Sequence, residues 1–296
     1  VPEEVWGGMR EYLLIIFAGL LATSLYNFFS CLLRALGNST VPLVFLAVSA
    51  ILNIAWDLLF VAVFHWGIAG AAYATIFAQY VSGIGILLYI LFRCRSLFPE
   101  RKDLCFDGGI LKEIAGLSSL TCLQQSVMNF GILMVQGLVN SFGATTMAAF
   151  AAAVKIDTFA YLPVQDFGNA YSTFIAQNYG AGNKERIRRG TKESFAISTA
   201  FSLVISALVF TFAAPLMQIF VSSAETAVIA SGVRYLRIEG AFYFGIGCLF
   251  LLYGYYRAIK RAEMSVVLTV ISLGIRVLLA YVLSATSLSE TGIWMA

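Results

Sequence analysis

Charge is scarce in this chain of 296 residues, since Asp, Glu, Lys and Arg together make up 12% of it, about half of the ~25% usual in soluble domains. Histidine occurs once, as His65, and cysteine five times. A single histidine and an odd number of cysteines do not supply a His-based catalytic centre, a zinc cluster or a disulfide framework. We therefore expect free thiols, no enzyme activity, no cofactor and no metal beyond a possible Na⁺.

Hydrophobic residues are abundant instead, at 60% of the chain. Eight apolar stretches each reach the ~20 residues that a helix needs to cross ~30 Å of hydrocarbon. Runs of this length indicate helices rather than barrel strands. The sequence thus predicts an all-α integral membrane protein of about eight transmembrane helices, at 11–34, 41–64, 67–92, 110–140, 146–175, 193–221, 230–256 and 264–286.

The basic residues are confined to alternate loops between these stretches. One set of loops, which includes Arg34 and the run 184–192, holds 13 of the 19 Lys and Arg residues. The other set, around 65–67, 142–144 and 222–225, holds none. The positive-inside rule places the basic loops in the cytoplasm. The basic residues of these loops therefore indicate the orientation of the chain in the lipid bilayer. Binding to nucleic acid is not expected.

The chain contains an internal repeat with an offset of 223 residues. Tyr12-Leu13 falls on Tyr235-Leu236, and Arg34-Ala35 falls on Arg257-Ala258. The offset crosses six helices, an even number, so both copies have the same orientation in the membrane. Parallel repeats of this kind are typical of two six-helix bundles in a transporter of twelve helices.

This repeat predicts a domain organisation. Residues 1–92 would be the last three helices of the first bundle, 93–109 a cytoplasmic linker, and 110–296 five helices of the second bundle, the last of them truncated. The chain starts without Met and ends as a new apolar stretch begins. We therefore expect a fragment that lacks the first three helices and most of the last one.

Several segments, in this order, resemble the multidrug and toxic compound extrusion (MATE) family, in its prokaryotic branch related to DNA-damage-inducible efflux proteins. They are Arg34-Ala35-Leu36-Gly37-Asn38-Ser39-Thr40-Val41-Pro42, Leu52-Asn53-Ile54 with Asp57, Gly67-Ile68-Ala69-Gly70-Ala71-Ala72-Tyr73-Ala74-Thr75, and Phe174-Ile175-Ala176-Gln177-Asn178-Tyr179-Gly180-Ala181-Gly182.

The resemblance implies secondary active export of small amphipathic, often cationic compounds in antiport with H⁺ or Na⁺. It implies a monomer that crosses the inner membrane of a prokaryotic cell several times. It also implies a cation site in the first bundle that matches Asn53, Asp57 and Thr75. A different branch carries acidic residues in the second bundle, where this chain has Ser126 and Ile246, which argues against a second-bundle site of that type.

Asp57 also stands out without the family. A charge at bilayer depth costs roughly 2.5–3.5 kcal/mol on insertion scales, so such residues usually face a cavity. Asp57 and Thr75 each lie nine residues from the turn at Trp66, about 13 Å below the surface at 1.5 Å per residue. Asn53 and Gln79 match in height one turn deeper. The four polar groups predict either a site for H⁺ or Na⁺ or a purely structural polar clasp between two helices.

Further polar side chains are candidates for a substrate cavity. Asp157 and Asp166 are nine residues apart and lie on opposite faces unless Pro163 bends their helix. Lys155 is expected either to pair with an acid or to contact substrate. Four other charged residues are expected to form ion pairs or to extend their charged ends toward the membrane surface. They are Arg234, Arg237, Glu239 and Arg276. The residues assigned to the cavity are Tyr26, Asn27, Gln79, Gln125 and Asp157.

A lipid-linked saccharide flippase is the alternative function. Such a protein is expected to line its cavity with Arg for pyrophosphate. The central Asp, Asn, Gln and Thr residues favour cations instead.

Overall fold

The computed structural model describes residues 3–94 and 105–296, and in these residues all regular secondary structure is helical. They divide into two compact units, Val1–Phe106 and Asp107–Ala296. Most of the predicted linker, 95–104, lies outside the described residues. The assignment of the two units to the halves of a twelve-helix transporter stays a prediction.

Unit 1 consists of four α-helices and one π-helical segment. The π-helix, Leu58–Val63, directly follows the α-helix Thr40–Asp57. The α-helices are α1 (Glu3–Ala18), α2 (Leu20–Ala35), α3 (Thr40–Asp57) and α4 (Gly67–Arg93).

Unit 2 contains three long helices, of 33, 37 and 37 residues, each of which exceeds the length needed to cross the membrane. Pro163 lies inside the helix Ala144–Gly180, which stays continuous, whereas the helix Lys184–Phe220 has a kink at Phe212, three residues before Pro215. The helices are α5 (Gly108–Asn140), α6 (Ala144–Gly180), α7 (Lys184–Phe220), α8 (Thr226–Gly240), α9 (Tyr243–Ala258), α10 (Ala262–Ser284) and α11 (Glu290–Trp294).

The number of spans agrees with the sequence, but two of the spans are broken. Among the described residues, six helices are long and apolar enough to cross a membrane, and two bent pairs raise the number to as many as eight. The stretches 11–34 and 230–256 were predicted as continuous helices, and this is wrong. They are α1 with α2, bent by 40°, and α8 with α9, bent by 51°.

The two breaks occupy equivalent positions in the repeat. α1 ends at Ala18 and α2 begins at Leu20. Shifted by 223 residues, α2 would begin at Tyr243, which is where α9 begins. α2 and α9 also end at the equivalent residues Ala35 and Ala258. The repeat found in the sequence is thus present in the helix geometry.

Each unit has its own core, and much of its remaining surface is apolar. In unit 1 the buried residues Leu33, Ile86 and Ile90 join α2 to α4. In unit 2 the short α11 inserts Trp294, whose ring stacks on Phe150 with centroids 5.7 Å apart. Many large apolar side chains stay exposed, as expected for helices that face lipid.

Candidate cation site

The connection between α3 and α4 is fixed by aromatic packing. The Phe60 ring stacks on Trp66 at a centroid distance of 5.1 Å and meets the edge of Phe77 at 6.0 Å. The Trp66 backbone N–H donates to the Phe60 carbonyl at 2.9 Å. His65 and Gly67, both with positive φ, reverse the chain. This hairpin holds the π-helix and the start of α4 in one arrangement.

Asp57 lies where α3 changes from α-helical to π-helical geometry. Single π-helical turns are rare and often occur at functional sites. The Oδ1 atom of Asp57 and the Nδ2 atom of Asn53 are both buried, and neither has a hydrogen-bond partner in the described part of the chain. Leaving a buried polar group unpaired costs about 1–3 kcal/mol. Asp57 Oδ1 is therefore able to accept from a water molecule or to bind a cation, whereas the Asn53 NH₂ group is able to donate to a water molecule or an anion.

The Asn53 amide suits a cation as well as a carboxylate. Its side chain has an oxygen and an NH₂ group at nearly equivalent positions. Half a turn about its last bond would place the oxygen where the unpaired NH₂ lies. Asp57 and Asn53 are four residues apart, on one face of α3.

Thr75 lies opposite them on α4. Ser49 Oγ of α3 donates to the Ala78 carbonyl of α4 at 2.9 Å, and Phe60 packs against Gly70. These antiparallel contacts place Thr75 within about one helical turn of the level of Asp57. Its hydroxyl donates to the Ala71 carbonyl of its own helix at 3.0 Å. The lone pairs of that oxygen are thus left for an acceptor role, such as coordination of a cation.

The polar clasp between α3 and α4 is not formed. Within the described ranges, no hydrogen bond joins Asp57 to Thr75 or Asn53 to Gln79. Gln79 Oε1 accepts a hydrogen bond from Thr23 Oγ1 at 2.9 Å instead, beside the break between α1 and α2. The geometry is compatible with an ion site at Asp57, Asn53 and Thr75, whose role stays a prediction.

The other cavity candidates lie in different environments. Tyr26 donates to the Pro42 carbonyl at 2.9 Å and so joins α2 to the start of α3. Asn27 and Gln125 are exposed, on α2 and α5. Asp157 is buried on α6 and accepts a hydrogen bond from Tyr243 of α9. Their roles in substrate binding also stay predictions.

The charged residues of unit 2 behave largely as the sequence indicates. Asp166 is exposed whereas Asp157 is buried, in agreement with their opposite faces on α6. Lys155 lies over the Phe220 ring, with its Nζ 5.8 Å from the ring centroid. The expected pairing of charges is confirmed by two ion pairs, Arg276 with Glu239 at 3.5 Å and Arg234 with Glu290 at 3.7 Å.

Three features were not foreseen from the sequence. They are the π-helix after Asp57, the contact between Asp157 and Tyr243, and a row of unpaired serine hydroxyls on α7. Only the Ser spacing on α7 is visible in the sequence. The other two depend on contacts between helices.

Comparison with known proteins identifies the family of this chain. The family model described as MatE matches residues 2–59 and 120–282. The chain belongs to the MatE family. The probable multidrug resistance protein YpnP of Bacillus subtilis is 33% identical to this MatE chain over 271 residues, which are 92% of the chain and 60% of YpnP. The probable multidrug resistance protein NorM of Thermotoga maritima is 27% identical over 277 residues, 91% of the chain and 58% of NorM.

A solved structure confirms the MatE fold. The outward-facing conformation of a multidrug resistance MATE family transporter of the MOP superfamily superposes with a TM-score of 0.91 at 23% identity, over 96% of this chain and 64% of that one. The prediction of an all-α membrane transporter fold is thereby confirmed. The chain spans about 60% of the length of the curated relatives YpnP and NorM. These comparisons do not favour the flippase alternative.

Proposed function

We propose that the protein carrying this MatE chain is a secondary transporter that exports small amphipathic, often cationic compounds in antiport with H⁺ or Na⁺. It acts as a monomer that spans the prokaryotic inner membrane several times, and it is not an enzyme. Asp57, Asn53 and Thr75 bind the coupling ion. The observation that carries this proposal is the pair of buried atoms without partners, Asp57 Oδ1 and Asn53 Nδ2.

The chemistry follows from the charge of the site. Asp57 is not paired with any Lys or Arg among the described residues. An unpaired carboxylate within the membrane is costly, and either a proton or Na⁺ removes that cost. The ion then competes with a cationic substrate for the same negative charge. Binding of one favours release of the other, which is the requirement for antiport.

The test is efflux of a fluorescent organic cation from proteoliposomes, with H⁺ and Na⁺ gradients imposed separately. Asp57→Asn keeps the size of the side chain but removes its charge, so we expect gradient-driven export to be lost at unchanged protein level. Ser49→Ala is the matched control, since it removes a hydrogen bond from the same helix pair but keeps the side chains of Asp57, Asn53 and Thr75. Export at the wild-type rate by Asp57→Asn would refute the assignment.

A further inference from the structure

Three basic side chains form a row at the end of α7 that the positive-inside rule places in the cytoplasm. Lys184, Arg188 and Lys192 are spaced by four residues, so they lie on one face of the helix. All three are exposed, and none of them forms an ion pair with an acid in the described part of the chain. Like charges four residues apart destabilise a helix. A bound anion would remove this repulsion.

Two other basic side chains of the same segment have partners within the protein. Arg189 pairs with Glu193 at 2.8 Å, and the Arg186 guanidinium lies over the Phe174 ring, 5.9 Å from its centroid. Orientation by the positive-inside rule requires cations at this end of the helix but does not select one face of it. The unpaired cations of α7 are thus gathered on one face for which topology gives no reason.

The segment that carries the row is anchored by a different face. The hydroxyls of Thr191 and Tyr171 share a hydrogen bond of 2.8 Å. Ile187 packs against the buried cluster that contains Ile175 and Leu251. These contacts fix the helix beneath the row, so the spacing of the three charges is set before any ligand binds.

Apolar side chains continue the face of the row into the membrane. Glu193 is the last charged residue of α7. Leu203 and Phe210 follow Lys192 by about three and five whole turns, so they lie on its face. They are 54% and 52% exposed. Leu203 is about 16 Å from Lys192 along the helix axis, which is close to the hydrocarbon depth of one leaflet, half of ~30 Å.

We propose that this face of α7 binds one anionic phospholipid of the cytoplasmic leaflet. Its phosphate lies between Arg188 and Lys192, where charge-assisted hydrogen bonds hold it, and Lys184 adds a third positive charge. One acyl chain extends along the apolar face to Leu203. The basic row alone would suit any phosphate, but the apolar continuation of the same face over the depth of one leaflet selects a lipid.

Photo-cross-linking at Leu203 tests the proposal. Leu203→p-benzoylphenylalanine is introduced into the purified protein that carries this chain, in vesicles of equimolar phosphatidylglycerol and phosphatidylcholine with identical acyl chains. Mass spectrometry of the adducts gives the ratio of the two lipids beside the probe. Leu123 of α5 is the reference position, since it is a 50% exposed leucine and, like Leu203, lies seventeen residues before its helix ends, at Asn140 and Phe220 respectively.

We expect phosphatidylglycerol adducts at Leu203 to exceed phosphatidylcholine adducts by about fivefold or more, the effect of about one basic side chain at an anionic surface. The ratio at Leu123 should be near one. Cross-linking needs no ion gradient, so a failure of export in the Asp57 variants would leave this measurement unaffected.

Two double variants of equal charge separate the row from the total charge of the segment. Arg188→Gln with Lys192→Gln removes two members of the row and should lower the ratio at Leu203 to that of the reference position. Arg186→Gln with Arg189→Gln removes the two cations that have protein partners, and it should keep most of the preference.

Any of three results overturns the proposal. One is an equal lipid ratio at Leu203 and Leu123 in the wild-type protein. Another is an equal decrease in both double variants, which would show that the preference follows total charge. The third is loss of the preference on addition of millimolar inorganic phosphate, which would indicate a site for a soluble anion. Circular dichroism establishes folding, and if a double variant does not fold, the comparison of the two probe positions decides alone.

Discussion

Asp57 and Asp157 have different polar partners. Asp57 has a buried oxygen without a partner in the described ranges, and the groups nearest to it along its helix face are an amide and apolar residues. Asp157 accepts a hydrogen bond from Tyr243 and lies near Arg276. A carboxylate without a fixed positive partner depends on a mobile ion, whereas one with donors around it is held in place. We therefore assign the exchangeable coupling ion of the proposed function to Asp57.

The pair of Arg276 and Glu239 should matter more for stability than an exposed pair. Arg276→Met removes one partner and leaves the Glu239 carboxylate, whose side chain is 20% exposed, without its cation. We expect a loss of roughly 2–4 kcal/mol, below the full effect for a buried pair because Arg276 is partly exposed. Arg189→Met, in the exposed pair with Glu193, should change the stability little, because water and salt screen an exposed pair.

Unfolding by SDS in mixed micelles, followed by circular dichroism, measures both variants. Adding Glu239→Gln to Arg276→Met should recover most of the loss, because no unpaired carboxylate then remains. Equal losses in Arg276→Met and Arg189→Met would show that the Arg276 pair contributes little.

The helices were predictable where their formation depends on the local sequence alone. Runs of apolar residues locate the six continuous spans and the two bent pairs among the described residues, because the requirement for ~20 residues is imposed by the bilayer. The break at Gly19 was not predicted, and the residues that lie closest to Gly19 (Gln79 and Ile76) belong to another helix. The depth of Asp57 could be counted from a turn, but its missing partner and the π-helix beside it depend on how α3 packs against α4.

The break between α1 and α2 gives a prediction for its glycine. A Cβ at Gly19 would lie 2.9 Å from Gln79 Oε1 and 3.2 Å from the Ile16 carbonyl oxygen. Gly19→Ala should therefore displace Gln79 from Thr23 and destabilise the chain by about 1–3 kcal/mol, as overpacking does. Gly7→Ala, where a Cβ meets no described atom within 4 Å, should be neutral or stabilising by up to about 1 kcal/mol.

The same SDS titration compares the two glycine variants. Because both lie in α1 or at its end and both add one methyl group, their difference isolates the contact with α4. A Gly19→Ala chain as stable as Gly7→Ala would mean that α1 and α2 can rearrange at the break without cost.

At the scale of the whole molecule, the two copies of the repeat carry different charges at one equivalent position. The offset of 223 residues that aligns the two broken helices also aligns Asn53 of α3 with Arg276 of α10. The first copy thus places a neutral amide one turn from Asp57, where the proposed coupling ion would bind. The second copy places a permanent cation at the equivalent position. The two copies therefore differ in charge at this position.

The orientation of the whole chain in the membrane gives a final prediction. Ala181 lies at the basic end of α7, next to Lys184 and Arg186, and Ser223 lies beyond its other end. Since positive loops stay in the cytoplasm, Ser223→Cys in a cysteine-free background should react with an impermeant maleimide on intact cells. Ala181→Cys should react only after the cells are permeabilised. Both residues are small and exposed, so the two substitutions perturb the fold similarly and their labelling can be compared directly. Labelling of Ala181→Cys on intact cells would reverse the orientation and with it the direction in which the proposed ion gradient acts at Asp57.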